Sequence, residues 1–210
     1  MVNPAKPWLK NYPDGVPHEV DYSGYASLLE MFEEAFTRYP ERDACEFLGK
    51  RMNYRQLDSH SKHFASYLQS LGLESGARVA IMLPNVLQFQ IAMLGVLRAG
   101  FVVVNVNPLY TARELEYQLK DSGASALVIL ENFAHVYQDV MKSAPIKHVV
   151  VTSIGEMIGL KGAIVNFVVR NIKKSVPKWE VPHHLSFTSA LDIGTRHSWS
   201  RPNKTQDDIA

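Results

Sequence analysis

The chain has 210 residues, 46% hydrophobic and 20% charged, enough apolar mass for one α/β domain or two small ones and unlike a disordered chain. Its single cysteine, Cys45, excludes an internal disulfide, and no secretory apolar run follows Met1, so the sequence reads as intracellular. The net charge of +1 conceals an imbalance, because residues 1–144 carry −3 and residues 145–204 carry +6.

Pro4, Pro7, Pro13 and Pro17 among polar residues predict an extended arm over about residues 1–24. Ser27 and Glu30 have capping-box spacing, and Leu28, Leu29, Phe32, Ala35, Phe36 and Tyr39 follow at helical spacing until Pro40. Ala44 to Leu48 and Arg51 to Tyr54 flank Gly49-Lys50 as a hairpin. Asn53 and Gln56 cap a second helix that stops at Gly72.

The chain then alternates. Strands are predicted at Arg78 to Leu83, Phe101 to Val106, Ala126 to Leu130 and Lys147 to Thr152. Helices are predicted at Val86 to Ala99, Ala112 to Ser122 and Phe133 to Ser143. This pattern calls for a largely parallel, doubly wound α/β sheet, with a core over about residues 25–153. The most apolar window, Phe89 to Val106, is interrupted by Gly95, Arg98 and Gly100, which favours a helix followed by a strand over a membrane span.

Residues 154–210 read as an amphipathic helix, Ile154 to Lys174, followed by an aperiodic connection that wraps around something else. On a helical wheel Met157, Leu160, Ile164, Val165, Phe167, Val168 and Ile172 share an apolar face, with Lys161 among them. Asn166, Arg170, Lys173 and Lys174 group opposite, so the segment could lie on an anionic membrane or pack against protein.

Motifs for known chemistry are sparse. No GxGxxG, Walker loop or GxSxG occurs, which argues against dinucleotide, P-loop and α/β-hydrolase sites. The stretch from Val102 to Tyr117 has the position of a phosphate corner, but Asn107-Pro108 fixes its turn and Thr111 with Glu114 occupies the helix start as a capping box. His60 and His63 share a helix face without a third ligand and read as solvated, and the adjacent His183 and His184 point apart. Cys45 reads as a buried thiol, and the basic residues lack a nucleic-acid module, so no nucleic-acid partner is expected.

Three strings together resemble the N-terminal region of the adenylate-forming acyl-CoA synthetases: MNYRQLDSHSKHFASYLQSLG, VAIMLPNVLQFQIAMLGVLRAG and NVNPLYTARELEYQLKDSGASALVI. PWLKNYPDGVPHEVD and GLKGAIVNFVVRNIKKSVPKW resemble, more narrowly, bacterial long-chain fatty acid CoA ligases. The resemblance implies that residues 1–210 form the N-terminal part of a large AMP-binding domain. It further implies activation of a fatty acid by ATP with Mg2+ to an acyl adenylate, then transfer to coenzyme A. An aryl or medium-chain acid ligase, or a non-catalytic α/β scaffold, are the alternatives.

The family's phosphate loop, rich in Ser, Thr and Gly and followed by Lys, has no counterpart in the 210 residues. The run from Lys204 to Ala210 resembles the lead into the strand before that loop, so the expectation is that the ATP motifs lie beyond it and that this segment alone is inactive. No catalytic, cofactor-binding or metal residue is therefore assigned, and no cofactor is expected on this chain alone. The expected location is cytoplasmic, with a homodimer and peripheral contact at the inner membrane face through residues 154–174 as candidate associations.

Overall fold

The computed structural model describes residues 6–210; Pro4 of the expected arm lies outside them. From Lys6 to Tyr25 the arm is largely exposed, with one 3-10 turn at Pro7–Asn11. Helix α1 spans Leu28–Arg38, with the Ser27 hydroxyl accepting from the Glu30 amide at 3.3 Å. The reciprocal half of the expected box is displaced: the Glu30 carboxylate takes the Ala26 N–H rather than that of Ser27.

The hairpin pairs β1 (Asp43–Phe47) with β2 (Lys50–Asn53) in antiparallel register. Its turn is Leu48-Gly49, both at positive φ (48° and 78°), the geometry that matches the twist of the flanking strands. Helix α2 (Tyr54–Ser70) follows directly, closed by the complete Asn53/Gln56 capping box.

The main sheet has five strands in the order β4-β3-β5-β6-β7. They are β3 (Arg78–Met82), β4 (Val102–Asn105), β5 (Ala126–Leu130), β6 (His148–Thr152) and β7 (Leu185–Ser186), and every neighbouring pair is parallel. Helices α3 (Leu87–Arg98), α4 (Ala112–Ser122), α5 (Ala134–Val140), α6 (Leu160–Phe167) and α7 (Phe187–Gly194) connect or follow them.

Both faces of the sheet are covered, which explains why its strands are apolar throughout. Val79, Ile81, Val128 and Val150 point into a core shared with Phe64 and Leu68 of α2, Ile91 and Val96 of α3, and Phe187 of α7. Ala80, Met82, Leu127, Ile129 and Val149 alternate with them into a second core against Leu115 and Leu119 of α4 and Tyr137 and Val140 of α5. Each fully buried Leu, Ile or Phe contributes about 1.5–3 kcal/mol relative to exposure. Phe64 and Phe187 stack with ring centroids 5.0 Å apart, fixing α7 against α2.

Two expectations for the last third are corrected. Residues 175–206 are only in part the aperiodic wrap expected: Leu185–Gly194 forms β7 and α7, the short β7 existing because Leu185 and Ser186 pair with Val150 and Val151, while residues 195–206 run irregularly back over the body, with Trp199 Nε1 donating to the Arg98 carbonyl at 2.9 Å. The helix expected from Ile154 to Lys174 begins only at Leu160. Residues 154–159 form turns ending at Gly159 (φ 72°), and Val168–Ile172 widens into a π turn.

Candidate functional site

In a parallel sheet, ligands collect beyond the carboxyl ends of the strands, where the strand order reverses. Here that edge lies around the exits of β3, β5 and β6, because the chain steps from β3 to β4 on one side and then returns to β5 on the other.

The exit of β3 runs through Pro84-Asn85 to Val86, which starts α3 without a side-chain cap. Gln88, in the first turn, is fully buried and donates Nε2 to Thr152 Oγ1 at 3.0 Å and to the Ser153 carbonyl at 2.9 Å. The link ties the start of α3 to the end of β6. At the exit of β4, Asn107 Oδ1 accepts the Leu109 amide at 3.0 Å, and Thr111 with Glu114 forms the expected capping box. The cap takes the Glu114 amide, at 3.5 Å, and so leaves the helix start fewer free N–H groups for a phosphate.

At the exit of β5 the buried Glu131 receives a fork from Arg170, with Nε at 3.0 Å from both carboxylate oxygens and an NH2 nitrogen 2.8 Å from Oε2. At the exit of β6, Glu156 is saturated. Its Oε2 accepts from Thr152 Oγ1 at 2.7 Å and the Ser153 amide at 3.2 Å, and its Oε1 accepts from the Thr188 amide at 2.8 Å and hydroxyl at 2.9 Å.

The edge is therefore a brace. Its carboxylates are held by the chain's own donors, so neither is free to act as a base on a substrate. A triphosphate needs a cradle of backbone N–H groups, commonly opened by glycines; no glycine follows β3, β4 or β5 directly, and the amide of Gly155, just past β6, is taken by Asn166 Oδ1 at 2.8 Å. Among the described residues, no three His, Cys, Asp or Glu side chains gather as a metal set.

The remaining candidates have structural surroundings. His60 and His63 are half-buried rather than solvated, since α2 packs one flank against the hairpin and α7. Burial, and then the neighbouring His63, hold the His60 imidazole below its ordinary range. His60 lines a cleft of 280 Å³ with Lys50, Gln56 and Glu156. His184 is exposed, with Nδ1 2.7 Å from the Val181 carbonyl oxygen, and His183 stands at positive φ (58°). Cys45 is half-buried in β1, and burial pushes its thiol up, away from nucleophilic character.

Sequence reasoning missed two further features. Arg98, treated only as an interruption in an apolar run, is fully buried: it donates to Asp58 Oδ1 at 2.5 Å, the Asp58 carbonyl at 2.7 Å and Ser61 Oγ at 2.8 Å. Burial alone would raise the Asp58 carboxyl, but the hydrogen bonds from Lys62 and Arg98 outweigh it and hold it below the usual range. The second is the brace itself. Its signals were a Gln inside an apolar helix start and a Glu directly after five apolar strand residues, Gln88 and Glu131.

The model of the AMP-binding enzyme family matches residues 32–189, which include all of β1 to β7. A long-chain-fatty-acid–CoA ligase of Salmonella typhimurium is 48% identical over 207 residues, 98% of this chain and 37% of that protein. One from Yersinia pestis is 50% identical over the same shares. The chain thus spans about 37% of the length of these curated relatives. The crystal structure of a long-chain-fatty-acid-CoA ligase from Archaeoglobus fulgidus superposes with a TM-score of 0.65 at 22% identity, over 92% of this chain and 34% of that one, a likeness of fold. With the family model matching across the hairpin, the parallel sheet and the braced edge, the chain belongs to the AMP-binding enzyme family.

Proposed function

We propose that this chain is the N-terminal part of a long-chain fatty acid CoA ligase, an acid–thiol ligase that converts a fatty acid with ATP and Mg2+ into an acyl adenylate and passes the acyl group to coenzyme A. The observation that carries this reading is the 48–50% identity, along 98% of the chain, to proteins named for that activity. Forming the mixed anhydride first gives the carboxylate a good leaving group before the thiolate attacks.

Within that enzyme the chain supplies framework. Its braced edge and two cores hold one sheet of the AMP-binding domain, with the arm over about residues 1–24, the α/β core over about 25–153 and the connecting part over about 154–210. No described residue takes a catalytic, nucleotide or metal-binding role in this reading, because the carboxyl-edge carboxylates are already engaged. The 210-residue chain alone is inactive on this account. A cytoplasmic enzyme that reaches the inner membrane face, and a homodimer, complete the proposal. Among the described residues no helix is long and apolar enough to cross a membrane.

The test is pyrophosphate release and thioester formation by the full-length gene product on palmitate, decanoate and benzoate. Palmitate preference with strict dependence on ATP and coenzyme A is expected, and benzoate preference would replace the reading with an aryl acid ligase. ATP–pyrophosphate exchange by the isolated 210 residues would contradict the framework role.

A further inference from the structure

Helix α6 is mounted with its polar side inward. Asn166 Oδ1 accepts the Gly155 amide at 2.8 Å, and its Nδ2 donates to Ser153 Oγ at 2.9 Å. Gly162 lies so close to Gly155 that a Cβ on it would fall well inside van der Waals contact with the Gly155 carbonyl oxygen. One turn later Arg170 is forked onto the buried Glu131. These contacts, at Gly162, Asn166 and Arg170, fix α6 and the π turn after it and leave the apolar side outside.

The exposed side chains are large. Leu160 is 96% exposed, Ile164 67%, Phe167 59% and, past the π turn, Ile172 66%. Leu160, Ile164 and Phe167 stand at i, i+4 and i+7 and form one stripe. The π turn, seen in the Lys173 amide donating to the Val168 carbonyl five residues back, winds more slowly and turns Ile172 toward that stripe.

Charge identifies the occupant. Between Glu156 and Glu180 there is no acidic residue, while Lys161, Lys173, Lys174 and Lys178 are exposed and form no ion pair among the described residues. Arg170 is the one cation of the segment that the protein neutralises itself. A two-fold contact between copies through this stripe would bring like lysines together, which opposes it. Apolar side chains bordered by uncompensated lysines match an anionic bilayer, whose headgroups take the cations while the acyl boundary takes the stripe.

We propose that α6 and the π turn after it form an interfacial docking helix for anionic lipid, with Leu160, Ile164, Phe167 and Ile172 entering the headgroup–acyl boundary and Lys161, Lys173 and Lys174 against lipid phosphates. This rests on the peripheral location proposed above and names the element and the lipid class responsible.

The test is co-sedimentation of the full-length gene product with vesicles of phosphatidylcholine alone and with added phosphatidylglycerol. Wild type should bind the anionic vesicles at least about tenfold better, and the double variant Ile164→Glu/Phe167→Glu should lose about tenfold of that binding. Lys173→Gln/Lys174→Gln should abolish the preference for anionic lipid. Tryptophan emission of Phe167→Trp should shift to the blue on anionic vesicles, an independent reading if the Glu variants misfold. Equal binding by wild type and both double variants, or no blue shift, overturns the docking helix and leaves the peripheral location standing. Absence of wild-type binding overturns both. A change of oligomeric state in the Glu variant with vesicle binding unchanged would make the stripe an interface between copies. Ligase activity on decanoate, measured in parallel without vesicles, reports separately on the catalytic reading.

Discussion

Helices α4 and α6 are both amphipathic and of similar length, yet they treat their apolar sides in opposite ways. Helix α4 buries Leu115 and Leu119 in the core and turns Glu116, Lys120 and Asp121 outward. Helix α6 exposes Leu160, Ile164 and Phe167 and turns Gly162 and Asn166 inward. Amphipathic spacing fixes that two faces exist; the partners available to each face decide which one looks inward. For α4 the partners are apolar strands. For α6 they are a glycine contact, a backbone amide and a buried carboxylate.

The largest expected effect separates the two stripes directly. Leu115→Ala should cost about 3 kcal/mol of unfolding free energy, since a buried leucine loses both transfer energy and packing. Ile164→Ala, on the exposed stripe, should change it by less than about 0.5 kcal/mol. Urea denaturation of each variant checks the pair, and comparable losses would contradict the assignment of inside and outside.

Glu131→Gln sharpens the polar side of the comparison. Removing the charge leaves the Arg170 fork with a neutral acceptor, and a loss of about 1–2 kcal/mol is expected, together with faster amide exchange over residues 160–172. Unchanged exchange would mean that the fork does not fix the helix.

A smaller effect comes from pH. Burial first, with His63 beside His60 and Lys147 beside His148, holds both imidazoles below 6.5 in the native state. The unfolded chain binds protons at about pH 6.5, earlier than the native one, so stability is full above that value and falls as pH drops through it toward the native pKa values. The urea midpoint should therefore be lower at pH 5.5 than at pH 7.5, and His60→Gln should shrink the difference; a midpoint that rises on acidification would contradict this burial.

Legibility in the sequence follows the range of the forces. The bounds of α4 and β5 agree with the sequence to the residue, because Thr111, Glu114 and the left-handed Gly123 (φ 63°) punctuate α4 locally and ALVIL has no polar break. The parallel sheet was legible for the same reason. Strand β7 was not, since Leu185 and Ser186 owe their conformation to β6 some 35 residues away in sequence. The brace was equally hidden: Glu131 meets Arg170 across 39 residues, and Glu156 meets Thr188 across 32. The wheel for residues 154–174 found an apolar side but could not orient it, because Gly162 fits against Gly155 only in three dimensions.

The orientation of α6 is tested most directly by thiol accessibility in the full-length gene product carrying Cys45→Ser. With every other cysteine of that product also replaced by serine, the thiol of Ile164→Cys should react with a thiol reagent at nearly the rate of a free peptide thiol in solution and become protected on phosphatidylglycerol vesicles, whereas that of Leu115→Cys should stay unreactive in both conditions. Protection of the Ile164→Cys thiol before any vesicle is added would show the stripe to be covered by protein and would contradict the outward-facing helix.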